Sequence, residues 1–175
     1  MKYLHLIKII ALCIILPIIV VELLNKFLFF QIIVPSDSMY PTIKENDRIL
    51  VTNLYDKNKL VRGDIVVFYS EELKKTLVKR LIGLPGDLVS IKYGEIFINE
   101  KKISEPYVVC KDSLTKNFKV PVGCFLFLGD NRFSSYDSRY WKNPYIKFTN
   151  IKGKAQIILY PFKRFGKFIT GKRAL

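Results

Sequence analysis

Residues 76–87 read Thr76-Leu77-Val78-Lys79-Arg80-Leu81-Ile82-Gly83-Leu84-Pro85-Gly86-Asp87. The first seven are mostly apolar or β-branched, and Gly83, Pro85 and Gly86 close the run, so it reads as a strand ending in a turn. A strand turns alternate side chains to opposite faces. Leu77, Lys79 and Leu81 therefore share one face, and Arg80 points to the other. Short runs of the same kind recur at Arg48–Thr52, Asp64–Tyr69, Leu88–Ile91, Glu95–Ile98, Phe125–Leu128 and Ala155–Leu159. Lys92-Tyr93-Gly94 has the composition of a hairpin loop, and Val120-Pro121-Val122-Gly123 that of a further turn. From Ile32 onward helical periodicity is scarce. The expected body, residues 31–175, is all-β, built of several short and mostly antiparallel sheets.

The chain has 175 residues, half of them hydrophobic, which argues against disorder. It has one histidine, His5, outside any polar cluster. That argues against a Ser-His-Asp triad, a Cys-His dyad and histidine-rich metal sites. Three cysteines, Cys13, Cys110 and Cys124, form no C-x-x-C pair, which argues against zinc ribbons and dithiol redox chemistry. No metal and no cofactor is expected. If the body lies outside the cytoplasm, a Cys110–Cys124 disulfide would close a loop of about 15 residues, worth roughly 3 kcal/mol. Free buried thiols are an equal alternative.

Residues 1–30 differ in composition from the rest. Leu4 to Leu24 is almost wholly apolar, with Lys8 and Glu22 near its ends, and its length suits one transmembrane helix. Pro17 inside it is tolerated in membranes. A cleaved signal peptide needs small residues after the apolar run, yet Glu22 to Pro35 contains no Ala, Gly or Ser. The segment is expected to stay as a single-pass anchor. Lys2 and Lys8 precede the span, and Lys26, offset by Glu22, follows it. This favours a cytoplasmic N-terminus and an extracytoplasmic body. Net charge is +14. The last fifteen residues interleave Lys163, Arg164, Lys167, Lys172 and Arg173 with Phe162, Phe165 and Phe168, which suits a lipid bilayer surface. Nucleic acid is not expected, because no nucleic-acid-binding signature accompanies the charge. A merely solvated charged surface is the plainer reading.

Two more stretches stand apart. Pro35-Ser36-Asp37-Ser38-Met39-Tyr40-Pro41-Thr42 brackets two hydroxyls between prolines, just after the anchor. Gly129-Asp130-Asn131-Arg132-Phe133-Ser134-Ser135-Tyr136-Asp137-Ser138-Arg139 is a polar loop. Together with Lys79 they admit a hydrolysis that needs no histidine: a serine hydroxyl attacks a carbonyl while a neutral lysine takes its proton. A free lysine has a pKa of about 10.4, so lowering it to about 8 takes roughly 3 kcal/mol against the charged form. Burial beside Leu77 and Leu81 supplies this, and Arg80 would add repulsion if close enough.

These stretches, with Arg62-Gly63-Asp64-Ile65-Val66, resemble in order and content the type I signal peptidases (leader peptidases), membrane-bound serine proteases with a Ser-Lys dyad. The likeness spans roughly residues 1–165 and is nearest the short, single-anchor Gram-positive form. It implies Ser38 as nucleophile and Lys79 as general base. It implies an oxyanion hole of the Ser38 N–H and the Ser36 hydroxyl, and Ser135 as a hydrogen-bonding orienter of the lysine. Asp137 and Arg139 would be a supporting ion pair. Met39, Ile32, Val34, Ile43, Leu77 and Val78 would form shallow pockets for small side chains. The implied substrates are signal peptides of secreted preproteins, added as a strand between the 32–34 and 76–78 regions. The secretion machinery would be close by, and the active site would sit at the membrane surface, with Trp141-Lys142 helping to seat the body. A catalytically silent assembly factor and a self-cleaving repressor domain share parts of this pattern. The presence of both Ser38 and Lys79 disfavours the first, and the anchor disfavours the second. Asp37 stands where the family usually has Gly, and is expected to point outward.

Overall fold

A computed structural model describes residues 2–109 and 112–168. Helix α1, Lys2–Phe27, contains Pro17, and its Ile7–Leu24 window is apolar and long enough to cross a membrane, with none of it buried against the rest of the chain. The chain leaves the helix at Leu28 and enters strand β1, Phe29–Ile33. Phe29 and Phe30 therefore belong to the sheet, where they pair with Thr52 and Val51, although composition groups them with the anchor. Their apolarity continues that of the helix, so no change of composition marks the border.

The other strands are β2 (Arg48–Asn53), β3 (Ile65–Ser70), β4 (Lys75–Gly83), β5 (Leu88–Lys92), β6 (Glu95–Ile98), β7 (Lys101–Lys102), β8 (Lys116–Lys119), β9 (Cys124–Leu128), β10 (Tyr145–Lys147), β11 (Ile151–Tyr160) and β12 (Gly166–Lys167). They form two antiparallel sheets. The larger runs β1-β2-β11-β3-β4-β9-β10, with β12 beside β11, and the smaller runs β7-β6-β5-β8. All seven strand runs expected from sequence are present. β8 escaped notice because Lys116-Asn117-Phe118-Lys119 buries only Phe118, and β10 because it has three residues. The β5–β6 register pairs Lys92 with Glu95, which leaves Tyr93 and Gly94 as a two-residue turn. Both have positive φ, 51° and 75°, as a primed hairpin turn requires.

The period of two sorts the core. In β3, Ile65 and Val67 join one apolar cluster with Met39, Ile43, Ile49 and Val78, while Val66 and Phe68 join another with Leu81, Phe127 and Trp141. Being buried on both faces is what makes β3 a continuous apolar run. In β9, Phe125 and Phe127 face the second cluster, while Leu126 and Leu128 face a third under the small sheet with Ile82, Val89 and Phe118. β4 touches all three clusters through Val78, Leu81 and Ile82. It is the strand on which the sheets are organised.

Two surface expectations are corrected. Trp141 is buried beside Phe68, with ring centroids 6.2 Å apart, and so does not meet a membrane. Of the C-terminal aromatics, Phe162 and Phe165 are exposed, but Phe168 packs into the first cluster. Arg164 is tied to Asp47, at 2.9 Å, and to the Thr42 carbonyl. Pairing through β12 pulls this part of the tail onto the body. Lys172, Arg173 and Cys110 lie outside the described residues, and Cys124 is a free thiol.

Strand β11 shifts register against both neighbours, and buried Gly153 lies within the shift against β3. A Cβ there would overlap the Thr52 carbonyl oxygen and stand 2.7 Å from Val51 Cγ1. Backbone cannot move aside as a side-chain tip can. Gly153→Ala is expected to destabilise the body by about 2–4 kcal/mol, read as a lowered midpoint in thermal unfolding of the full chain in detergent.

Candidate active site

Ser38 lies in the turn after β1. Tyr40 N–H donates to the Asp37 carbonyl at 2.8 Å, and Ile43 N–H to the Met39 carbonyl at 2.9 Å. Met39 and Ile43 are both 0% exposed and plug this segment into the first cluster. They hold Ser38 in place from behind. The expectation that they line a substrate pocket is corrected: the cavity beside Ser38 is walled by Ile32, Val34, Leu77 and Val78, with Ser36, Ser38, Thr76 and Lys79, and measures about 220 Å³. A residue next to Ser38 in sequence points the opposite way from it, into the core.

Lys79 is 3% exposed, and its Nζ is hydrogen-bonded to Ser38 Oγ, 41 positions away in the chain. Burial, the largest cause, lowers its pKa from 10.5 to about 8. Asp137 opposes this, Lys75 adds to it, and Asp130 and Arg139 act in opposite directions and more weakly. At pH 7 about one lysine in ten is then neutral, against about one in three thousand for a free side chain.

Arg80 is not among the main causes of that shift. It faces the other side of β4 and holds Asp130 with two hydrogen bonds, of 2.7 and 2.5 Å. Its guanidinium also donates to the Gly63 carbonyl and stacks on Tyr107, 3.8 Å from the ring centre. Thr42 Oγ1 donates to the same Asp130 carboxylate at 2.5 Å. A buried cation so fully matched exerts little net field on a neighbour.

The loop after β9 is held by a second buried pair. Arg139 donates to both oxygens of Asp137, at 2.8 and 2.9 Å, and also to the carbonyls of Arg132 and Ser135. Asp137 in turn accepts the Gly129 N–H at 2.8 Å. Arg132 donates to the Gly129 carbonyl and to both oxygens of Glu105, while Arg139 also reaches Asp112. Glu105, Tyr107 and Asp112 lie in a stretch of no recognisable pattern, so sequence gave no sign of them. Thr42, Asp130 and Arg132 do fall within the stretches singled out from sequence, but their contacts were not legible there.

Gly129 is where the two loops meet. A Cβ on it would overlap Ser135 Oγ and come within 2.5 Å of the Ser38 carbonyl oxygen. Ser135 is thus brought to the backbone of Ser38, and is 2% exposed. Its Oγ has no hydrogen-bond partner among the described residues, so the orienting bond to Lys79 that the resemblance implies is not made here. Ser36 Oγ lies 3.3 Å from Ser38 Oγ. Asp37 is exposed and turned away from Lys79, as expected from sequence: its carboxylate accepts Ser134 Oγ at 3.2 Å and Asn131 Nδ2 at 3.4 Å.

Two strand edges flank the cavity. β1 pairs only with β2, and β9 covers β4 only at Arg80–Gly83, so Ile32–Ile33 and Thr76–Val78 have no strand between them among the described residues. A second opening of about 540 Å³ shares Ile32 and Thr76 and extends toward Phe30 and Lys152. The whole arrangement is a buried hydroxyl–amine pair at one end of a cleft fit for an extended chain.

Known proteins are similar to this chain in sequence. A family model described as signal peptidase, peptidase S26, matches residues 6–160. Signal peptidase I of Bacillus caldolyticus is 38% identical, over 83% of this chain and 87% of its own. Signal peptidase I of Leptolyngbya laminosa is 40% identical, over 77% of this chain and 70% of its own. Signal peptidase I S of Bacillus subtilis (strain 168) is 36% identical, over 90% and 91%. With a match over most of its length, the chain belongs to the signal peptidase family, peptidase S26.

Proposed function

We propose that this chain is a membrane-anchored serine endopeptidase that removes signal peptides from exported preproteins, with Ser38 as nucleophile and Lys79 as general base. The observation that carries the reading is the buried Lys79 Nζ on Ser38 Oγ, with its pKa lowered to about 8. Protonated, the lysine donates to the hydroxyl. Once neutral, it accepts the hydroxyl proton as Oγ attacks the scissile carbonyl. The developing oxyanion is met by the Ser38 N–H and the Ser36 hydroxyl. The lysine ammonium then gives its proton to the leaving amine, and an acyl-enzyme remains. Water, losing its proton to the same lysine, releases the acyl group and restores Ser38.

The cavity between Ile32–Val34 and Thr76–Val78 takes the residues before the cut as an added strand, and its small volume next to Ser38 suits small side chains. Asp137 and Arg139 hold the loop that carries Ser135. Residues 1–30 serve as the anchor, with the structural border at Leu28, and residues 31–175 as the peptidase body. The N-terminus lies in the cytoplasm, and the body lies outside, against the lipid and near the secretion machinery. Exposed Phe162 packs edge-on to Tyr160, and Tyr160 and Ile33 both pair with Arg48 across β2. That apolar and basic rung supports contact with an anionic bilayer.

Ser38→Ala and Lys79→Ala should each abolish cleavage of a preprotein by the full chain in detergent; turnover surviving either change would remove that residue from the chemistry. Because the neutral amine is the active form, kcat/KM should rise about tenfold per pH unit from pH 6 toward pH 8 and then level off. A flat profile would exclude lysine as the base. Gly129→Ala should drive Ser135 and Ser38 apart and cut kcat by about a hundredfold or more, with a smaller change in KM.

A further inference from the structure

Asp37 stands between two residues that line the cleft and does not line it itself. Its side chain leaves on the opposite side, toward Asn131 and Ser134. Asn131 also donates its backbone N–H to the Ser38 carbonyl at 3.1 Å, so this cluster lies directly against the nucleophile. Both side-chain donors to the Asp37 carboxylate are neutral, and no cation pairs with it among the described residues. An exposed, unneutralised negative charge therefore sits beside Ser38, outside the cleft.

The direction of a bound chain follows from the fold. The cleft runs from Ser38 and Lys79 past Ile32 and Thr76 to Phe30, which is three residues from the end of α1. A preprotein whose apolar segment comes from the bilayer enters at the Phe30 end. Its residues before the cut fill the cleft, and those after the cut emerge past Ser38 on the Asp37 side. We propose that Asp37 is a specificity-determining residue for the released chain: its carboxylate selects against acidic residues just after the scissile bond and favours basic ones. This rests on the cleavage reading above.

Asp37 is too exposed to bind a side chain firmly, so the effect is one of charge and should respond to salt. The test uses preproteins that are identical except for Ala, Gln, Glu or Lys as the first residue after the cut. kcat/KM is compared for the wild-type chain, Asp37→Asn and Asp37→Lys. At low salt the wild type should cleave the Lys substrate about three- to fivefold faster than the Glu substrate. Asp37→Asn should bring that ratio close to one, and Asp37→Lys should invert it. In about 0.5 M salt the wild-type ratio should shrink toward one. Because each ratio is taken within one enzyme, a general loss of activity in a variant cancels. Cleavage with equal rates on Lys and Glu substrates, or a ratio unchanged by Asp37→Asn, overturns this proposal and leaves the peptidase reading intact. Failure of the wild type to cleave even the Ala substrate overturns both.

Discussion

Burying a lysine amine against a serine hydroxyl sets the terms for everything around it. The charged form of Lys79 loses most of its hydration, and among the described residues no carboxylate is hydrogen-bonded to it in return. That imbalance holds the amine near neutrality, and it needs a rigid surround. A hydroxyl or a water-filled gap a few ångströms off would restore solvation and the ordinary pKa. β4 supplies the rigidity, since its residues reach all three apolar clusters.

Two buried ion pairs lie near this amine, and of their charges Asp137 acts on it most. Arg80 and Asp130 satisfy each other, as do Arg139 and Asp137. Asp137 and Arg139 act on Lys79 in opposite senses, and the acid outweighs the base. Buried pairs of this kind are poor sources of stability, but they fix geometry. Here they clamp the loop after β9 through Gly129 and the peptides of Arg132 and Ser135. The removal of one partner would leave an uncompensated charge a short way from Lys79.

Much of this was legible in the sequence because strands announce themselves by alternation. The run at residues 76–82 gave β4, the face of Lys79 and the opposite face of Arg80. Ser36, Ser38, Lys79, Ser135, Asp137 and Arg139 were named from motifs, and the fold gathers them. What failed were readings of direction. The resemblance implies Met39 and Ile43 as pocket walls, but a motif says nothing of which way a side chain turns out of a tight turn, and both face the core. Trp141-Lys142 reads as a pair suited to a membrane surface, yet Trp141 faces the core and Lys142 solvent. Arg80 reads as a repulsive neighbour of Lys79, but nothing in the sequence marks Asp130, fifty residues on, as its partner. Glu105 and Asp112 clamp arginines from a segment without periodicity, where nothing local marks a partner.

The cleft is, in effect, an unfinished sheet. Two strand edges flank a cleft with no strand between them among the described residues, and such edges do not discriminate strongly by sequence. Extended segments of other chains, including further copies of this one, can compete for the gap. Lys75 at the head of β4 and Lys152 across the mouth place like charges at the entrance. Two copies meeting edge to edge here would bring like charges toward one another, which opposes such pairing.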